Sequence, residues 1–211
     1  MLELELNNIF VPSKVASKKL LIILHGRGDS SQGFSFMPDY LNIPDLNYLL
    51  LDAPYDYFGG RSWYDLPPNQ EEGIEYSSKI LTNILNTLFE EQFDIDQSIL
   101  FGFSQGSLLT FEFGARYKKA LAGYIAVSGY IYDEKKILED INKDVIKSKW
   151  LCTHGTLDDV LPYNISSEQV KYLQDNNFEI EFKSYQKAHT LDEKEILAIR
   201  EFILKVLEKK V

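Results

Sequence analysis

The sequence predicts an α/β protein built on a mostly parallel, doubly wound sheet of about seven strands. Three observations predict it. Short apolar runs alternate with helical patterns along nearly the whole chain, which is the order of strand–helix units in a parallel sheet. Most of the runs are continuously apolar, as strands covered on both faces require. The residues best suited to chemistry follow directly on these runs, where ligands sit in such sheets. The 211 residues suit a single domain, residues 1–211, with little chain to spare for a separate cap domain.

Taken in order, "LELELNN" at the amino end alternates apolar and polar residues and reads as an edge strand. "KLLIILH" (19–25), "YLLLDAP" (48–54), "SILFGF" (98–103), "LAGYIAV" (121–127) and "KWLCTH" (149–154) read as buried strands. "EIEFKSY" (179–185) alternates more and reads as another edge strand. Between them, Ile80, Ile84 and Leu88, with Leu81, Leu85 and Phe89, recur at helical spacing. A second helix begins just after Ser104, and a third spans about residues 166–175. The last starts at Thr190-Leu191-Asp192-Glu193, a capping-box pattern, and buries Ile196, Ile199, Ile203 and Leu207. The segment 34–48 has no periodicity and predicts no element.

Composition removes several classes of function. A formal charge of −10, from 22 basic and 32 acidic residues, argues against nucleic acid, which is bound through Lys and Arg on phosphates. No polybasic run supports docking to an anionic membrane, and no signal-peptide or membrane-spanning pattern is visible. No stable membrane anchor and a cytoplasmic location are therefore expected. One cysteine, Cys152, fits a reducing compartment. Without H-E-x-x-H, paired C-x-x-C or a P-loop, neither a metal nor a cofactor is implied. A homodimer is compatible with the sequence.

The chemistry is concentrated in "ILFGFSQGSLL" (99–109). A strand followed by a helix needs a turn, and glycine and serine form turns. The spacing Gly102, Ser104, Gly106 is also the G-x-S-x-G nucleophile elbow of a serine hydrolase. A serine hydroxyl is a poor nucleophile until a base stands within hydrogen-bond reach, and the base needs an orienting partner. On this scaffold they follow in the order serine, acid, histidine. Of the three histidines, His25 precedes Ser104 and His154 precedes the acids after its own strand, so His189 is the base. The acid is Asp158 or Asp159. The helix after Ser104 offers the Gln105 N–H to a developing oxyanion, and the glycine-containing loop "HGRGD" (25–29) offers that of Arg27.

Six segments then occur together in one order: "LHGRGD" (24–29), "SWYDL" (62–66) with "EEGI" (71–74), "GFSQGS" (102–107), "HGTLDDVLP" (154–162) and "AHT" (188–190). With them the chain resembles the acyl-protein thioesterase / phospholipase–carboxylesterase family of small α/β-hydrolase serine esterases. The resemblance implies Ser104 as nucleophile, Asp158 as acid, His189 as base, and the amides of Arg27 and Gln105 as oxyanion hole. It also implies cleavage of a carboxylic ester or thioester through an acyl-enzyme. The substrate would be a small-molecule or lipid acyl ester, or an acylated protein. Four residues depart from the family pattern: Arg27, where an apolar residue is usual, Ser107 in place of glycine, and Thr156 and Asp159 in the acid loop. Two other readings stay open, a peptidase or lactone hydrolase on the same scaffold and a non-catalytic binding protein. In the aromatic loop that holds Tyr55, Tyr57 and Phe58, Trp63 reads either as a core anchor or as a wall of an apolar acyl pocket.

Overall fold

The computed structural model describes residues 3–208. In chain order the strands are β1 (Asn8–Val11), β2 (Leu20–Leu24), β3 (Asn47–Leu51), β4 (Tyr55–Tyr57), β5 (Gly60–Ser62), β6 (Ser98–Phe103), β7 (Gly123–Val127), β8 (Lys149–Gly155) and β9 (Ile180–Tyr185). The helices are α1 (Met37–Leu41), α2 (Gln70–Glu91), α3 (Gln105–Arg116), α4 (Glu134–Asp140), α5 (Tyr163–Asp175) and α6 (Glu193–Leu207). Seven strands form one sheet in the order β1-β3-β2-β6-β7-β8-β9, and β4 pairs with β5 as a separate hairpin. Only β1 runs antiparallel to its neighbour, through Asn8 opposite Leu51 and Val11 opposite Tyr48. The remaining pairings of the large sheet are parallel.

The apolar runs are continuous because both faces of the sheet are covered. Along β2, Leu20, Ile22 and Leu24 enter one core and Leu21 and Ile23 the other. The period of two is the pleat of the strand. The first core takes its helical residues from α2 through α5, among them Leu81, Leu109, Ile137 and Leu173. The second takes them from α1 and α6, including Met37, Leu41, Ile199 and Ile203. All four apolar residues expected on the face of the last helix are buried there. Each such side chain contributes roughly 1.5–3 kcal/mol.

α1, within the segment 34–48, the β4–β5 hairpin and α4 form where the sequence announced no element, and two expected elements are placed differently. The amino-terminal edge strand lies later than its alternation suggested. Its expected start, Leu2, is outside the described residues, and pairing begins only at Asn8. Ile9, Phe10 and Val11 are the β-branched and aromatic residues that favour a pleated surface, whereas Glu3 and Glu5 do not. At the other end, α6 is capped by Asp192 rather than Thr190. The Asp192 carboxylate accepts the Glu195 N–H at 2.8 Å, while Thr190 Oγ1 turns back to the Leu191 carbonyl.

Candidate active site

Ser104 occupies the turn between β6 and α3 with φ 54° and ψ −112°, a conformation that a side chain rarely adopts. Its N–H donates to the Val127 carbonyl at 2.8 Å, and its own carbonyl accepts from Ser107 and Leu108, so the strained turn is held from both sides. The flanking glycines are required by close approach. A Cβ on Gly102 would run into the Gly106 carbonyl, and one on Gly106 into the Leu24 carbonyl. The elbow can therefore sit tight against β2 only without those side chains.

Asp158 lies in the loop after β8, and His189 in the loop after β9. His189 Nε2 is 2.8 Å from Ser104 Oγ, and His189 Nδ1 is 2.7 Å from Asp158 Oδ2. Asp158 Oδ1 accepts the N–H groups of Val160 at 3.0 Å and Leu161 at 2.8 Å. Burial works to raise the Asp158 pKa. The Leu161 N–H, His189 and the Val160 N–H outweigh it, and the net shift is downward. This carboxylate stays ionised. Asp159, its neighbour, is exposed. The Phe103 ring packs against that of His189, with centroids 5.2 Å apart.

The other two histidines are buried. His25 donates through Nδ1 to the Gly26 carbonyl and accepts the Ala53 N–H at Nε2, 3.1 Å away, which fixes a neutral ring. Burial pushes its pKa down. His154 Nε2 is 2.8 Å from the Leu161 carbonyl and 3.3 Å from Asp158 Oδ2, so it braces the acid loop from behind. Its pKa is also lowered by burial.

Among the described residues, neither the Arg27 nor the Gln105 backbone N–H has a backbone acceptor. Gln105 opens α3, whose first N–H groups have no partner inside the helix. Gly26 lies beside the serine: a Cβ placed there would be 3.3 Å from that of Ser104. Arg27 directly follows it.

Trp63 is not a pocket wall. Its ring is completely buried, and Nε1 donates to the His25 carbonyl at 3.0 Å. Its backbone N–H donates to Gln105 Oε1 at 2.7 Å, and its carbonyl accepts from Ser77. The indole, out of solvent and beside the His25 ring, is placed as an anchor of the core. The aromatic loop is instead the β4–β5 hairpin. Phe58 and Gly59, both with positive φ, form its tip. The hairpin is stitched to the loop after β2 by Gly28 N–H to Arg61 O and Arg61 N–H to Asp29 O, each 2.8 Å. A cavity of about 390 Å³ between α2, α3 and α4 is lined by residues such as Glu71, Lys79, Arg116 and Lys136, and by none of Ser104, Asp158 and His189.

Sequence reasoning missed a buried ion pair behind the base. Lys187, two residues before His189, has Nζ 3.1 Å from the Glu195 carboxylate, with both side chains almost fully buried. The same ammonium donates to Ser128 Oγ at 2.8 Å and to the Thr190 carbonyl at 2.5 Å. The histidine loop is thus anchored to the end of β7 and to the first turn of α6. One signal was legible: a glutamate falling beside Ile196 and Ile199 on the buried side of α6.

A seven-stranded α/β-hydrolase sheet that carries serine, carboxylate and histidine beyond three of its strands defines a serine hydrolase. The sequence profile of the phospholipase/carboxylesterase family matches residues 6–207, and the chain belongs to that family. Acyl-protein thioesterase 1 of Schizosaccharomyces pombe is 27% identical over an alignment of 224 positions, covering 96% of this chain and 97% of that one. The acyl-protein thioesterase 1 of Kluyveromyces lactis is 28% identical and covers 96% and 99%. Among solved structures, esterase PE8 superposes with a TM-score of 0.87 at 26% identity, covering 97% of this chain and 100% of that one. The SOBER1 protein of Arabidopsis thaliana has a TM-score of 0.83 at 24% identity, covers 92% and 100%, and shares the fold.

Proposed function

We propose that Ser104, His189 and Asp158 are a catalytic triad that cleaves carboxylic esters or thioesters by acyl transfer. The observation that carries this reading is the unbroken chain of contacts from Ser104 Oγ to His189 Nε2 at 2.8 Å and from His189 Nδ1 to Asp158 Oδ2 at 2.7 Å. His189 accepts the serine proton at Nε2 as Oγ attacks the carbonyl carbon, and the ionised Asp158 stabilises the imidazolium. The amides of Arg27 and Gln105 donate to the oxyanion. His189 then gives its proton to the leaving alcohol or thiol. A water, activated by the same histidine, attacks the acyl-enzyme and frees the acid and Ser104. The electrons begin and end on carbon, oxygen and sulfur without net oxidation, so no cofactor enters.

The names of the yeast relatives favour an acylated protein as substrate, and the esterase neighbour favours a small or lipid acyl ester. Among the described residues no helix is long and apolar enough to cross a membrane. A cytoplasmic location fits the single buried cysteine, Cys152. A fluorophosphonate should label Ser104 alone by peptide mapping, and Ser104→Ala should abolish both labelling and hydrolysis of 4-nitrophenyl butyrate. Labelling of another serine, or turnover by the alanine variant, would remove the triad from consideration.

A further inference from the structure

Arg27 directly follows Gly26, which packs beside Ser104, and its side chain is held rather than free. Its guanidinium carbon sits 4.3 Å from the centroid of the Tyr57 ring. Tyr57 is fixed in turn, because the hairpin that carries it is bonded to Gly28 and Asp29, the two residues after Arg27. The contact between Arg27 and Tyr57 is a cation–π contact, which supplies the guanidinium with no oxygen acceptor. Its N–H groups lie in the guanidinium plane and stay available to an acceptor.

No acceptor is supplied from within the chain. Arg27 Nε is buried and has no hydrogen-bond partner. Among the described residues no carboxylate lies within ion-pair distance of its guanidinium, whereas Arg61 meets one and Arg116 two. Arg61, the other arginine of this region, is further spent on the Ala53 and Pro54 carbonyls. A buried N–H with nothing to donate to destabilises the fold unless a ligand completes it. The partner that fits a planar fork of N–H donors is an oxyanion, a carboxylate or phosphate. With a formal charge of −10 on the whole chain, an unpaired cation at this point also marks where an anion would be tolerated.

We propose that Arg27, braced by Tyr57, is an anion subsite, and that the preferred ester or thioester carries a carboxylate or phosphate a few atoms from its scissile carbonyl. This rests on the acyl-transfer reading and adds the substrate class to it. The anion could belong to the acyl group, as in a half-ester of a dicarboxylic acid, or to the leaving alcohol or thiol.

Three substrates separate these cases: 4-nitrophenyl hexanoate, mono-4-nitrophenyl adipate and 3-carboxy-4-nitrophenyl hexanoate. The readout is the ratio of kcat/KM for each anionic substrate to that for the neutral one, compared between wild type and Arg27→Gln. The variant should lower one ratio by about tenfold or more, with Arg27→Lys in between. A fall for the adipate puts the anion on the acyl side, and a fall for the carboxylated phenol puts it on the leaving group. As a second measurement on wild type alone, raising salt from about 0.05 to 0.5 M should depress kcat/KM for the same anionic substrate several-fold more than for the neutral one. Both ratios unchanged within about twofold, or equal salt sensitivity where the variant does not fold, would overturn the subsite. Loss of all turnover and of Ser104 labelling in wild type would instead overturn the underlying reaction.

Discussion

Replacing Asp158 by asparagine keeps the shape of the acid and changes one thing, and the hydrogen bonds around it say which way the new amide turns. Asp158 Oδ1 accepts two backbone N–H groups, from Val160 at 3.0 Å and Leu161 at 2.8 Å. An asparagine that kept both would present its NH2 group to His189 Nδ1. Flipping the amide would instead aim NH2 at two N–H donors, losing both hydrogen bonds. The first orientation wins, so His189 must accept at Nδ1 and carry its proton on Nε2. That nitrogen can no longer take the proton of Ser104. In a serine protease triad the same exchange costs about 10⁴ in kcat, equivalent to about 5.4 kcal/mol in the barrier. A comparable loss is expected here, with a far-UV circular dichroism spectrum like that of wild type. Asp159→Asn, altering an exposed side chain, should lose less than about tenfold, or about 1.4 kcal/mol. Steady-state kcat/KM on 4-nitrophenyl butyrate for the two variants side by side decides it. A crippled Asp159→Asn, or an Asp158→Asn that keeps more than about a tenth of the activity, would refute the assignment.

The remaining expectations are these. Gly106→Ala would drive a methyl into the Leu24 carbonyl and should lower stability in urea by roughly 2–3 kcal/mol; a neutral result would mean the elbow is not packed against β2 as described. Lys187→Met leaves the Glu195 carboxylate buried without its cation and should cost about 3–5 kcal/mol, largely recovered when Glu195→Leu is added. Trp63→Phe removes the donor to the His25 carbonyl and should destabilise by about 1–3 kcal/mol while leaving the dependence of rate on acyl length unchanged. Finally, the Asp158 carboxyl titrates below its unfolded value of about 3.9. Its contribution is therefore complete above that value and lost as pH falls through the folded one. The stability of wild type relative to Asp158→Asn should hold steady above about pH 4 and fall as the pH is lowered below it in urea melts.

Most of this architecture was legible because its signals are local. Continuous runs such as "SILFGF" can be satisfied only between two covered faces, and Gly102 and Gly106 record in sequence where backbone meets backbone. Chain order alone singled out His189, the histidine that stands within hydrogen-bond reach of Ser104. What stayed hidden depends on long-range closure. Nothing near Trp63 distinguishes a ring facing a ligand from one facing His25, since the contacts that decide it come from residues 38 and 42 positions away. The β4–β5 hairpin is three residues a side and has no room for a period. Lys187 looks like an ordinary charged loop residue until folding removes it from water, and the place of Glu195 beside Ile196 and Ile199 does not say which cation meets it.

The base of this array hangs from the outermost strand of the sheet. Ser104 follows β6, the central strand, whereas His189 follows β9, which pairs on one side only, with β8. Strand edges and their connections are where native proteins open first, at free energies well below that of global unfolding. Detaching β9 would withdraw the imidazole while the elbow and both cores persist. Under mild denaturant the enzyme would then fall silent as an intact fold, and hydrogen exchange in β9 would run faster than in β6. Activity, in this arrangement, reads the fraying of one margin rather than the melting of the whole.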